Sequence, residues 1–166
     1  MRFRFVARLV SGLLLLAVLA SAQSTIFVLR HADRFGTEPD PELTEEGHRQ
    51  ARALAALLAD APVKRIFTSD MLRTHQTVAP LAEQFHLKPL AIPSEKLLEL
   101  TQQIKSQLRP GEATVVVGHR ATVPKIVHEL TGKDVAPLAV SEYDRLEVIT
   151  LWADGRSSVV TLRFGH

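Results

Sequence analysis

The sequence predicts an α/β protein of three layers, with a central, mostly parallel sheet flanked by helices and two hairpin-like strands at its C-terminal end. Three observations carry this. Short runs rich in Val, Ile and Phe alternate with longer stretches whose apolar residues recur at helical spacing. The segments between them are short and carry Gly, Pro, Asp and Thr. The last two apolar runs follow one another across Asp154-Gly155, a tight-turn pair, with no helical pattern between them.

Thr25 to Leu29 (TIFVL) is a β-rich run suited to a strand buried on both faces. It ends in Arg30-His31-Ala32-Asp33-Arg34, and a polar loop follows through Gly36, Pro39 and Pro41. Thr44 is placed as a helix N-cap, with Glu45 and Glu46 in the first turn where the dipole favours acids. Ala51, Leu54, Ala55 and Leu58 then recur at helical spacing to about Asp60. Arg65 to Thr68 reads as a second strand and Asp70 to Phe85 as a second helix. Lys88 to Ile92 is expected as a third strand, and Ser94 to Leu108 as a helix closed by Pro110-Gly111. Thr114 to Val117 is a strand followed at once by Gly118-His119, and Ala121 to Leu130 is a helix ending at Gly132. Arg145 to Trp152 and Ser157 to Phe164 are the final two strands. No repeat, low-complexity tract or linker interrupts the pattern, so one domain over residues 23–166 is expected.

The first 22 residues stand outside that pattern. Arg2, Arg4 and Arg8 precede an apolar stretch from Leu9 to Ala20, and Ala20-Ser21-Ala22 supplies the small residues of a cleavage site. This is the pattern of a secretory signal peptide cut before Gln23, which predicts an exported protein, periplasmic or extracellular, with no stable membrane anchor after cleavage. The apolar stretch is shorter than the ~20 residues that span a bilayer. Cleavage also changes the charge. Removing three arginines from 20 basic residues leaves 17 against 18 acidic ones, so the formal net charge falls from +2 to −1. Bulk charge therefore gives no support to a nucleic-acid partner. The chain has no cysteine, which excludes thiolate catalysis, Cys-ligated zinc and iron–sulfur clusters.

In an open parallel sheet, ligands bind beyond the carboxyl ends of the strands. Three chemically loaded segments occupy such positions: Arg30-His31 after the first strand, Ser69-Asp70 with Arg73 after the second, and Gly118-His119 after the Thr114–Val117 strand. Folding brings them to one edge, where two imidazoles and two guanidiniums make a cationic cup. Guanidiniums match phosphate oxygens in planar, bidentate geometry. The cup therefore points to phosphoryl chemistry.

At these same points the sequence resembles the histidine phosphatase superfamily, the phosphoglycerate mutase-like fold. VLRHADR at residues 28–34 resembles its R-H-G or R-H-A signature, and PELTEEGHRQARALA the helix that follows. FTSDMLRTHQTVAPLA resembles the family's S-x-x-x-R-T-x-Q-T segment, VVVGHRAT its second-histidine motif, and SEYDRLEV the return strand of small exported members. The resemblance covers nearly the whole chain after the leader. It implies that His31 is the nucleophile, forming a phosphohistidine that water hydrolyses, and that Arg30 and Arg73 bind the phosphate oxygens. His119 is then the second pocket histidine, donating to the same phosphoryl group. His31 must attack as neutral imidazole, and two adjacent arginines are expected to lower its pKa. No metal or other cofactor is required, and the implied partner is a phosphorylated small molecule or a phosphoprotein.

The sequence also departs from the family pattern. Ala32 replaces the commoner glycine, and Arg120 stands where a small polar residue is usual, so it narrows the pocket or adds a phosphate contact. Glu95, Glu99, Asp33 and Asp70 are the candidates for protonating the leaving oxygen. A phosphate-binding protein with little turnover is the alternative reading, and the lack of an identifiable acid is its only support. His48 and Arg52 are expected on a solvated helix face, and Asp134–Pro137 in a surface loop bordering the pocket. His128-Glu129 lacks the second histidine of a zinc helix.

Overall fold

The computed structural model describes residues 23–37 and 39–165. The proposed signal peptide, residues 1–22, lies outside them. The elements run β1 (Gln23–Arg30), α1 (Glu45–Leu57), β2 (Val63–Thr68), α2 (Leu72–Phe85), β3 (Leu90–Ala91), α3 (Leu97–Gln107), β4 (Ala113–Gly118), α4 (Val123–Thr131), β5 (Arg145–Trp152) and β6 (Ser157–Arg163). They form one six-stranded sheet in the order β3-β2-β4-β1-β5-β6. The first four in that order are parallel, whereas β5 runs antiparallel to β1, and β6 antiparallel to β5.

Period-two alternation in the strands decides which layer each residue joins. Ile26 and Val28 of β1 join Phe67, Val116, Leu100, Ile104, Ile126 and Val127 in the core beneath α3 and α4. Leu29, with Phe27 against it, joins Ile66, Val115, Val117, Leu54, Leu58, Val78 and Leu81 beneath α1 and α2. The three-layer arrangement expected from the sequence is therefore present. Thr44 caps α1, its hydroxyl accepting from the Gly47 N–H at 3.0 Å. The Asp154-Gly155 turn also stands where expected, with Gly155 at φ +85° and its N–H on the Trp152 carbonyl at 3.0 Å.

Several boundaries differ from expectation, among them the start of α2, at Leu72 rather than Asp70, and three others have a visible cause. β3 shrinks to two residues because it is an edge strand bracketed by Pro89 and Pro93, which have no N–H to offer a ladder. The helix expected from Ser94 starts at Leu97, since the Lys96 N–H closes a turn on the Pro93 carbonyl at 2.9 Å. The helix expected from Ala121 starts at Val123, because residues 120–122 form a turn closed by Thr122 and Val123 N–H groups on the His119 carbonyl, each at 3.0 Å. No helix among the described residues is long and apolar enough to cross a membrane.

Candidate active site

β1 and β4 are parallel neighbours with Arg30 paired to Gly118, so the residues after them leave the sheet side by side. The His31 N–H extends the ladder by one bond, to the Gly118 carbonyl at 2.9 Å. The two imidazoles consequently meet edge to face, with centroids 5.4 Å apart and planes inclined by 60°. β2, the neighbour on the other side of β4, ends at Thr68 and delivers Ser69 to the same edge. Arg73 follows as the second residue of α2. All four candidate site residues, Arg30, His31, Arg73 and His119, therefore lie at one sheet edge, as the positions of the strand ends predict.

His31 is buried, 3% exposed. Its Nδ1 lies 2.8 Å from the Ala32 carbonyl, which can only accept, so Nδ1 carries the proton and Nε2 is left as the basic nitrogen. Burial lowers its pKa to about 3, against a push upward from the Ala32 bond, and the charges of Arg30, His119 and Arg73 lower it further. The arginines thus act as expected, but loss of hydration comes first. His119 is lowered to about 4 by burial and then by Arg73, partly offset by Asp70 and Asp40. Arg73 Nη2 can only donate, and it lies 3.4 Å from His119 Nδ1; the neutral ring then carries its proton on Nε2, which donates to Ser69 Oγ at 2.9 Å. Ser69 is itself tied to Thr74 Oγ1 at 3.1 Å, and Thr74 donates to the Met71 carbonyl at 2.7 Å. A directed hydrogen-bond chain thus runs from Arg73 through His119 into the first turn of α2.

The two arginines are held by different parts of the molecule. Arg30 Nη1 donates to the carbonyls of Ala139, Val140 and Glu142 at 3.3, 2.7 and 3.1 Å. Its guanidinium lies over the Tyr143 ring, 3.9 Å from the centroid. Arg73 Nη1 reaches the Pro39 carbonyl at 3.3 Å and Asp40 Oδ1 at 3.4 Å. The Nε of each arginine is buried without a partner among the described residues. Two buried guanidinium donors with no protein acceptor are what an anion site of this depth requires.

Several neighbours are given no role at the site by the sequence. Tyr143 packs 5.9 Å from His31 and beneath Arg30, beyond the Asp134–Pro137 segment expected to border the pocket; the residues that reach Arg30 lie in 139–143 instead. Asp40 accepts the Leu72 N–H at 2.9 and 3.1 Å and so caps α2 from a distant loop. Thr77 accepts the Ala32 N–H at 2.9 Å while donating to the Arg73 carbonyl at 2.7 Å, which ties the histidine loop to the arginine helix. Gly47 allows α1 to approach that loop, because a Cβ there would meet the Asp33 carbonyl oxygen at 2.0 Å.

Of the four acids expected near the leaving oxygen, Asp33 accepts Thr44 Oγ1 at 2.9 Å, and Glu99 pairs with Lys96 on the surface at 3.2 Å. Glu95 is exposed. Asp70 bears electrostatically on both Arg73 and His119, and so does Asp40. Arg120 is exposed at the turn after His119 and its charge acts on Arg30. His48 is half-buried and Arg52 exposed. Among the described residues no cluster of three or more His, Asp or Glu side chains is arranged to hold a metal.

The same fold occurs in solved structures. A protein histidine phosphatase SixA complexed with tungstate matches with a TM-score of 0.66 at 19% identity, covering 84% of this chain and 96% of that one. A mycobacterial glucosyl-3-phosphoglycerate phosphatase matches with a TM-score of 0.68 at 16% identity, over 85% and 99% of the two chains. A phosphoglycerate mutase from Plasmodium falciparum gives 0.60 at 16% identity, over 84% and 89%. By sequence, a PE-PGRS family protein of Mycobacterium tuberculosis is 46% identical over 56 residues, which is 33% of this chain but only 10% of that protein's length. Residues 26–101, which include Arg30, His31 and Arg73, match the family profile of the histidine phosphatase superfamily (branch 1). Motif order, sheet topology and the profile match over residues 26–101 all point to the histidine phosphatase superfamily.

Proposed function

We propose that this protein is a phosphatase that cleaves phosphomonoesters, or phosphohistidine, through a phosphohistidine intermediate on His31, without a metal ion. The match to the superfamily's profile over residues 26–101 supports phosphatase activity in general. The observation that carries the finer reading is the state of His31: buried, with a pKa lowered to about 3 and its proton committed to the Ala32 carbonyl. At neutral pH its Nε2 lone pair is free to attack.

In the first step Nε2 bonds to phosphorus as the ester P–O bond breaks, and the leaving oxygen takes a proton from the water-accessible mouth that Asp40 and Asp70 flank. In the second, water attacks phosphorus, the P–N bond breaks, and imidazole and inorganic phosphate are released. Arg30 and Arg73 contribute their buried Nε donors to the phosphoryl oxygens, stabilising charge in the transition state without rearranging. A dianionic phosphoryl group raises the pKa of His119 by direct attraction, and a proton taken up at Nδ1 turns that edge from acceptor to donor. This is how His119 comes to donate to the phosphoryl group. Residues 1–22 are proposed as a signal peptide removed before Gln23, which places the activity in the periplasm or outside the cell; N-terminal sequencing of the exported product checks the cut.

The deciding experiment is hydrolysis of an aryl phosphate by the protein lacking its leader, in excess EDTA, with His31→Ala alongside. Turnover by the wild type and a loss of at least about a thousandfold in the variant are expected. Activity surviving in the variant removes His31 as the nucleophile, and dependence on added metal removes the metal-independent mechanism.

A further inference from the structure

Two arginines outside the cup are paired with no acid among the described residues. Arg120 sits at the apex of the turn that His119 and Thr122 close, exposed and with no hydrogen bond or ion pair to any described residue. Arg34 lies three residues beyond His31, where it forms an antiparallel bridge with Leu43 and, among the described residues, donates only to the Phe35 and Gly36 carbonyls of its own loop. They leave from the carboxyl ends of β1 and β4, the adjacent strands whose last paired residues are Arg30 and Gly118. Both charges bear on Arg30, and that of Arg34 also bears on Arg73. Of the acids close by, Asp33 is engaged with Thr44 and Asp40 with Arg73 and the α2 N-terminus, while the charge of Asp70 acts on Arg73 and His119. Like charges gathered at one mouth, in a chain with no excess of base after the leader, disfavour each other until an anion joins them.

We propose that Arg34 and Arg120 form a second anion subsite at the mouth of the cup, so that the preferred substrate is a small phosphomonoester carrying a second anionic group, a carboxylate or a further phosphate. The transferred phosphoryl group occupies the deep Arg30–Arg73 cup, and the second anion lies over the rim between the two strand ends. Arg34 and Arg120 are then specificity-determining residues, acting on binding rather than on the reacting bond. This inference rests on the phosphatase reading for turnover but not for binding.

The test compares matched probes that differ in one anionic group. For turnover these are 4-carboxyphenyl phosphate and 4-carbamoylphenyl phosphate. For binding by calorimetry they are phosphonoacetate and phosphonoacetamide, with methylenebisphosphonate against methylphosphonate to separate a phosphate-type second group from a carboxylate. The wild type is expected to favour the probe with the additional charge by roughly tenfold at low salt, mainly through KM or Kd. In Arg34→Gln/Arg120→Gln that ratio falls towards one, whereas in Lys64→Gln/Lys88→Gln, which removes two exposed charges elsewhere, it stays. Equal affinity for both members of each pair in the wild type overturns the subsite, as does a preference that persists in the arginine double variant. A preference lost equally in the lysine variant also overturns it, assigning the effect to net charge. If the wild type hydrolyses neither ester but still prefers phosphonoacetate through the two arginines, the subsite stands and the phosphatase reading falls.

Discussion

Arg30 and Arg73 reach one cup from regions built on different principles. The segment from Ala136 to Asp144 holds Arg30 with backbone carbonyls and an aromatic face, and is itself fastened to a buried ionic network. Arg145 donates to the fully buried Glu147 at 2.5 Å and to the Ala136 carbonyl at 2.6 Å, and Thr161 completes Glu147 at 2.7 Å. Glu142 is caught between the Ala139 N–H and Arg163, at 2.9 and 2.8 Å, which holds its pKa below the usual range. The segment 34–43 holds Arg73 instead through one carbonyl and one half-exposed carboxylate. One arginine is set in a preorganised mount and the other is left adjustable. A phosphoryl cup can work this way if one guanidinium defines the position and the other follows the substrate.

Breaking the mount should have the largest effect. Glu147→Ala leaves the buried Arg145 guanidinium with only the more distant Glu142, at 3.8 Å, as a charge partner, which costs about 3 kcal/mol of stability. Chemical denaturation checks this, and a loss below about 1 kcal/mol would show that the segment is anchored by its backbone alone.

The next effect concerns His31, which lies beneath the mount. Its pKa is about 3 in the folded protein against 6.5 for the free side chain, so the unfolded state binds the additional proton between those values. The stabilisation is complete above about pH 6.5 and declines as pH falls through that window, by about 1.4 kcal/mol per unit. His31→Gln should therefore flatten the acid side of the stability profile by close to one proton. Identical slopes for the two proteins would mean that His31 is not held neutral by burial.

A smaller effect is expected at the aromatic face. Tyr143→Leu removes the ring from Arg30 and opens the wall of His31, lowering kcat/KM by about tenfold, whereas Tyr143→Phe keeps the face and most of the activity. Equal losses in the two variants would transfer the role to the phenol hydroxyl.

How much of this was legible follows the same division. The sheet and its helices could be read because strand and helix periods imprint on sequence, and Arg30-His31, Arg73 and Gly118-His119 because they sit at strand ends or helix starts. The mount could not. Arg30 is held by carbonyls of Ala139, Val140 and Glu142, and a backbone atom has no residue type to betray it. Tyr143 has no periodic neighbours, and its place under Arg30 depends on β5 lying beside β1. Asp40 caps a helix 32 residues downstream, a pairing created only when α1 and α2 share one face of the sheet. The buried Glu147 falls within a strand whose pattern admitted a charge, but its partner Arg145 is two residues away on the same strand face, a spacing the apolar pattern does not highlight.

The adjustable side gives the smallest and most diagnostic prediction. Asp40→Asn retains an oxygen for the Leu72 N–H, so the start of α2 should survive, but it removes the negative charge 3.4 Å from Arg73. An exposed pair of this kind contributes less than about 1 kcal/mol to stability, so the fold should hardly register the change. The substrate should register it, because a phosphoryl dianion competes with Asp40 for the same guanidinium. With the carboxylate neutralised, KM is expected to fall by about two- to threefold while kcat is kept. If instead kcat falls and KM is unchanged, Asp40 is passing a proton to the leaving oxygen. The split between the two constants therefore decides whether the loose mount of Arg73 is a positional device or part of the proton path.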